Sequence, residues 1–423
     1  MSVSGEKRIG FVSTRLAGTD GVSLEARKWI EVLKHKGHSC FCFAGEIDMV
    51  EDNHSYIADE AHFTHPHITA IQKRLFETTV RDHELSTSVR EVVERLKHHL
   101  HDFIALYNID VFVVQNALAI PMNIPLGIAI TEVIVETGIP TIAHHHDFYW
   151  ERDRFLIHAA GDYIRAAFPP VLPSIHHVVI NSIAREEFSM RTGQSCTTIP
   201  NVMDFDNPPS EIDEYATGLR ESLGIAQDEL IVLQPTRIVK RKRIEQAIDL
   251  VRRLGIKATL VITHAGAKDE SEEYERWLKN YAEAIGVRVI FAAHIVQAIR
   301  TTNEADGRTY TLQDMYQNAD FVTYPSGKEG FGNAFIESVY YKKPIVVNRY
   351  STYRTDIEPK GFRAVEIDGF VTKETLEEKR AVITNHELQK EIVAHNYELG
   401  RHYFSYSVLA HKLQRIFDDI FGD

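Results

Sequence analysis

The sequence predicts an α/β fold of two doubly wound domains, each a mostly parallel sheet covered by helices and facing the other across a cleft. Three observations lead there. Short apolar runs alternate with helical repeats along nearly the whole chain. The alternation pauses once, over Pro200 to Glu229, and then restarts. The length, 423 residues, exceeds one ordinary core and suits two.

The first series opens with Ile9 to Ser13, a short apolar run read as a strand. Arg15 to Gly21 carries Gly18 and Gly21 and reads as a loop. Ala26, Trp29, Ile30 and Leu33 recur at helical spacing, and Gly37 ends that helix. His38 to Ala44 is the next strand, on which Cys40 and Cys42 share a face. Ile68 to Leu106 reads as long, charged and helical. Asp110 to Gln115 is a strand, Ile120 to Pro125 a loop and Ile128 to Glu136 a helix. Strands follow at Thr141 to Ala143, Val178 to Ile180 and Thr197 to Ile199.

Pro200 to Glu229, with Pro208-Pro209 and several acids, reads as a linker. Beyond it, Leu230 to Leu233, Ala258 to Ile262, Val287 to Phe291, Phe321 to Tyr324 and Ile345 to Val347 are strands. Helices start at Ile244, Glu270 and Asn333, and more run to the end. The predicted domains are 1–203 and 204–404. The last helix, Ser407 to Phe421, carries Val408, Leu409, Leu413, Ile416, Phe417 and Ile420 as an apolar stripe that must pack on something.

Composition narrows the function classes. Hydrophobic residues are 44% and charged residues 25%, a soluble globular balance. The net charge of -13 argues against a groove that tracks nucleic acid. Three scattered cysteines make no disulfide framework and fit a reducing compartment. Met1 to Arg8 is polar and carries no secretory signal, and no apolar run approaches the ~20 residues of a membrane span. The expected location is cytoplasmic.

Ligands of such folds bind at the carboxyl ends of parallel strands, and four polar features fall there. Gly18-Thr19-Asp20-Gly21 is a glycine loop before a helix, whose free N–H groups suit an anion. His144-His145-His146-Asp147 follows a strand; consecutive histidines point different ways, so one or two facing a cleft as hydrogen-bonding groups, or purely structural histidines, fit better than a metal trio. Arg237, Lys240, Arg241, Lys242 and Arg243 precede a helix, and either a phosphate ligand or a solvated basic face explains them. Lys328-Glu329-Gly330-Phe331-Gly332 opens the helix at Asn333, with Glu337 one turn in. Its backbone N–H groups suit a polar ligand, and two carboxylates can accept from hydroxyls of one elongated ligand or simply complement the helix dipole. No metal site is expected. Asp204-Phe205-Asp206 spells acid-x-acid but lies in the linker, and His62, His65 and His67 read as solvated.

Taken together, these residues resemble the retaining GT-B glycosyltransferases of family 4. Pro325-Ser326 through Glu329-Gly330-Phe331-Gly332 to Glu337 matches the family's P-S…E-G-F-G…E segment. Arg237 and Lys242 match its R-x4-K pair, His146 its donor-sugar histidine, and Gly18 to Gly21 its N-terminal glycine loop; Asn181-Ser182 and Ile199-Pro200-Asn201 also fit. Val202 stands where the family often has Gly, and His264-Ala265-Gly266-Ala267 replaces a Gly-rich turn.

The resemblance implies a hexose transfer from a nucleoside-diphosphate sugar, a co-substrate rather than a cofactor, to a hydroxyl acceptor. Arg237 and Lys242 would stabilise the leaving diphosphate, making a metal unnecessary. Glu329 would bind sugar hydroxyls, Glu337 the ribose and His146 a far sugar hydroxyl. Gly18, Gly21 and the backbone at Gly330, Phe331 and Gly332 would complete the donor site. Front-face attack would retain the anomeric configuration. The last helix, from about 405 to 423, would cross back to the first domain. The acidic balance favours a small or saccharide acceptor over a lipid; an oligomer is open. The alternatives are a sugar-nucleotide epimerase of the same fold and a non-catalytic sugar-nucleotide sensor.

Overall fold

The computed structural model describes residues 5–266, 270–303, 307–369, 380, 382–383 and 385–422. Residues 1–4 of the polar start and Ala267 of the altered turn lie outside them. The chain divides into two compact units. One runs to Val202 and resumes at Tyr406; the other is Met203–Ser405.

The first unit holds seven strands: β1 (Arg8–Val12), β2 (Ser39–Ala44), β3 (Ser55–Ile57), β4 (Val111–Gln115), β5 (Thr141–His145), β6 (Ile175–Val179) and β7 (Thr197–Thr198). They form one sheet in the order β3-β2-β1-β4-β5-β6-β7, all parallel. Alternate residues build two cores, as a period of two requires. Val12, Phe41, Phe43, Phe112 and Val114 point to one face, under the helices Pro66–Leu75, His83–Tyr107 and Ile124–Thr137. Ile9, Phe11, Cys40, Cys42, Val111 and Val113 point to the other, under Gly21–His35 and the final helix Tyr406–Phe421. The stripe Leu409, Leu413, Ile416 and Phe417 of that final helix is buried in this second core, with Trp29.

The second unit carries β8 (Leu230–Gln234), β9 (Ala258–Ile262), β10 (Val289–Phe291), a small hairpin of β11 (Thr301–Asn303) and β12 (Gly307–Thr309), then β13 (Phe321–Tyr324), β14 (Ile345–Asn348) and β15 (Val365–Ile367). Six of them form a parallel sheet in the order β10-β9-β8-β13-β14-β15. In both sheets the chain reverses its winding direction beside the first strand, between β1 and β4 and between β8 and β13. A crevice for ligands opens at such reversals, at the carboxyl ends of the strands.

Several sequence expectations need correction. The helix expected over Ile68 to Leu106 is two helices, because Asp82 caps a new one by accepting from the N–H of Leu85. The next helix starts at Ile124, inside the expected loop: Asn123 caps it and Pro125 sits in its first turn, where no N–H is needed. The linker is partly helical, at Glu214–Thr217 and Leu219–Ser222, and buries Ala216 and Leu219. β3, β15 and the hairpin were not expected, being strands of only three residues each. Residues 370–379, 381 and 384, placed among the terminal helices from sequence, lie outside the described residues.

Candidate active site

In the second unit the two loops at the β8/β13 reversal meet through ion pairs. The loop after β8 makes a tight turn at Lys240–Lys242 and enters the helix Ile244–Leu254 through Arg243, which adopts a left-handed φ of 49°. This buries Lys242, whose Nζ lies 2.5 Å from Oε1 of Glu329. Arg241 Nη1 lies 3.2 Å from the other carboxylate oxygen and also donates to the carbonyl of Lys328, at 2.9 Å. Burial pushes Lys242 below the usual lysine range, opposed by the Glu329 charge. Burial pulls Glu329 upward, but the Lys242 and Arg241 charges outweigh it and hold the carboxyl below its ordinary value. The basic cluster is not a uniformly solvated face. Arg237 is exposed and forms no ion pair among the described residues, while its charge reaches Lys242 and His264.

The loop after β13 is held from below. Asn348 Nδ2 donates to the carbonyl of Ser326 at 3.0 Å, Thr352 Oγ1 to that of Glu329 at 3.2 Å and Tyr350 Oη to that of Phe331 at 2.8 Å. Gly332 has φ +120°, and a Cβ there would lie 2.0 Å from Tyr350 Oη, so only glycine fits. Gly332 caps the helix Asn333–Tyr340 and has no side chain to spend on the first-turn N–H groups. The Phe331 ring is buried against Phe404, so this residue can offer a ligand only backbone. Glu337 stands one turn into the helix, where Tyr316 Oη donates to its Oε2 at 2.8 Å.

In the first unit the glycine loop departs from expectation. Asp20 spends one carboxylate oxygen on the N–H groups of Val22 and Ser23, and Gly18 N donates to Asp48. The helix start is therefore occupied by a carboxylate of the chain itself rather than open to an anion. Gly18 serves its left-handed φ of 77°; Gly21 is the first helical residue.

The histidines separate by strand alternation. His144 is buried and stacked on Trp29, with Nδ1 donating to Gln115 Oε1 at 3.0 Å. His145 points the other way, onto His177 and Phe188. His146 is only half-buried; its Nε2 donates to the same Gln115 oxygen at 3.2 Å, and its backbone N–H to Asn116 Oδ1 at 2.9 Å. Burial pushes its imidazole down to about 4, opposed by Asp147 and Asp20, so it is neutral at pH 7. His62 and His67 are half-buried rather than fully solvated: His67 bridges Glu60 and Ser88, and His62 stacks on Phe63.

Residues 217–384 match the family model described as glycosyl transferases group 1. The mannosylglucosylglycerate synthase of Petrotoga mobilis is 35% identical over 85% of this chain and 86% of its own. The enzyme of that name from Thermotoga maritima is 32% identical over 96% of this chain and 99% of its own. The chain belongs to the group 1 glycosyltransferases. Its fold is GT-B: the sucrose-phosphate synthase of Thermosynechococcus elongatus superposes with a TM-score of 0.68 at 14% identity, covering 99% of this chain and 100% of that one. Anabaena HepE, solved with UDP-glucose, gives 0.65 at 14% identity over 97% and 99%.

In this glycosyltransferase the second unit gathers Arg237, Lys242, Glu329 and Glu337 at one reversal, with the backbone from Gly330 to Gly332 between the two glutamates. His146 stands at the carboxyl end of β5 in the other unit. Sequence reading passed over Gln115, Asn116, Tyr316, Tyr350 and Thr352, which orient these groups. Asn116 alone left a signal, since asparagine tolerates the left-handed φ of 59° it adopts just after β4.

Proposed function

We propose that this glycosyltransferase moves a hexosyl unit, a mannosyl by likeness to its curated relatives, from a nucleoside-diphosphate sugar to a hydroxyl of a small anionic glycoside of the glucosylglycerate type. The Lys242–Glu329 pair beside exposed Arg237 carries the reading. A buried lysine held in an ion pair, with an uncommitted guanidinium beside it, suits a leaving diphosphate on which negative charge grows as the anomeric bond breaks. The donor's phosphates would compete with Glu329 for Lys242 and release the carboxylate toward sugar hydroxyls. Glu337, its second oxygen oriented by Tyr316, would accept from the ribose, and backbone N–H groups at Gly330 to Gly332 would hold sugar or phosphate oxygens. His146, neutral, would hydrogen-bond a sugar hydroxyl. Gly18 and Gly21 would bound the donor site by close backbone approach, without the anion contact expected from sequence.

Transfer would retain configuration by front-face attack, the leaving phosphate oxygen taking the acceptor proton, and two cations in place would make a metal dispensable. The reading places the chain with enzymes of the cytoplasm. Among the described residues no helix is long and apolar enough to cross a membrane.

The test is a panel of GDP-mannose, UDP-glucose and ADP-glucose, each with glucosylglycerate in excess EDTA. Product with the donor's anomeric configuration, read by proton NMR, is expected from one donor. Absence of transfer from all three, or transfer only after a divalent ion is restored, overturns the corresponding part. An epimerised donor formed without acceptor would favour the epimerase instead. The binding donor should add about 2.7 kcal/mol of stability at a hundredfold excess over its Kd.

A further inference from the structure

We infer that Arg154 holds the carboxylate of the acceptor, on the reading above that the acceptor is a glycoside of glycerate. The loop that follows β5 at His146 folds into two short turns, Tyr149–Glu151 and Asp153–Phe155. It is anchored throughout. Asn116 accepts from the His146 N–H and donates to Asp147 at 2.9 Å, Asp147 pairs with Arg152, and the Tyr149 N–H donates to Ala119 at 3.1 Å. The loop therefore stations its side chains at the same sheet end as His146.

Among the described residues, the other arginines of the loops at this end are committed. Arg15 pairs with Asp20, Arg81 with Asp162 and Arg152 with Asp147. Arg154 is exposed and, among the described residues, lies within ion-pair distance of no carboxylate, its exposed neighbour Asp153 included. One side of its guanidinium rests on a fixed floor: Cζ lies 4.5 Å from the Phe155 ring centroid, and Nη2 2.8 Å from Met122 Sδ. The Phe155 ring is itself buried. A planar fork held against an apolar floor keeps its remaining donors together and outward, the geometry that takes a carboxylate in two parallel hydrogen bonds.

Charge selects the ligand further. The chain carries a net -13 and repels an anionic acceptor at long range, so such an acceptor needs a local cation. One uncommitted guanidinium beside the neutralised Asp147–Arg152 pair matches a single negative charge better than a phosphate dianion.

The experiment compares kcat/KM for glucosylglycerate and for glucosylglycerol, its neutral counterpart, using the donor found in the panel, in wild type, Arg154→Gln and Arg154→Lys. Wild type should favour the acid, and Arg154→Gln should cut that preference about 10- to 100-fold, the worth of hydrogen bonds to a charged group. Arg154→Lys should fall between, keeping the charge without the fork. If wild type favours the acid and Arg154→Gln keeps the preference, the Arg154 site is overturned and the proposed function stands. Equal use of both acceptors by wild type also overturns the site. Use of neither overturns the functional reading itself, and the site with it.

Discussion

Lys242 Nζ lies 2.5 Å from Oε1 of Glu329, and this contact ties the loop after β8 to the loop after β13. The two glutamate oxygens are shared between Lys242 and Arg241, so each cation has a carboxylate oxygen of its own. Lys242→Ala removes the buried cation and should lower kcat/KM at least about 30-fold, or ~2 kcal/mol of transition-state stabilisation. It should also lower folding stability, by about 2 kcal/mol, because among the described residues Glu329 keeps the more exposed Arg241 as its one cationic partner. Steady-state kinetics and urea melts check both; unchanged turnover would remove Lys242 from the chemistry.

Tyr316→Phe should act on binding. The lost hydrogen bond ends on a carboxylate and is worth about 1.5–3 kcal/mol. Glu337 is assigned to the ribose, which does not react, so donor KM should rise about tenfold or more with kcat nearly constant. A fall in kcat at constant KM would contradict the ribose assignment.

Gly332→Ala should unfold the loop locally. The position combines φ +120° with a Cβ site 2.0 Å from Tyr350 Oη, and backbone strain alone costs about 1–3 kcal/mol. A lower Tm and loss of the donor-induced thermal shift are expected. Adding Tyr350→Phe relieves only the clash and should recover less than half; full recovery would show that φ does not matter there.

Acid should destabilise the first unit through its histidines. Burial holds His146 and His177 at about 4, below the ordinary 6.5, and pushes His144 and His145 well below it too. The unfolded imidazoles take protons near pH 6.5, the folded ones only near 4. Between these values the unfolded state binds more protons, so this stability is complete above about pH 6.5 and is lost as pH falls toward 4. At pH 5.5 each histidine at about 4 should cost ~1.4 kcal/mol relative to pH 7.5. Urea midpoints at the two pH values measure the sum, and a midpoint that does not move would refute the assigned burial effect.

Much of the fold was legible because its signals are local. Short, nearly continuous apolar runs mark β1, β4, β8 and β13, and each is buried on both faces, as a parallel sheet covered by helices on both sides requires. Strands of three residues, such as β3 and β15, carry too few side chains to stand out and exist by pairing with a longer neighbour. The break at Phe76 to Asp82 was masked by helical composition on both sides, and only the Asp82 cap reveals it.

The sequence by itself determined the chemistry available: which carboxylates, cations and glycines stand at the ends of strands, since strand ends and helix starts follow from local pattern. Tertiary structure alone decided the commitments among them. It paired Lys242 and Arg241 with Glu329, turned the Phe331 ring into the interior, and left Arg237 and Arg154 exposed without a carboxylate partner among the described residues. It also filled the helix start after Gly18 with Asp20. The reason is physical: a side chain's partner is set by which strands lie adjacent, and β8 meets β13 across about ninety residues of intervening chain, a proximity no local pattern encodes.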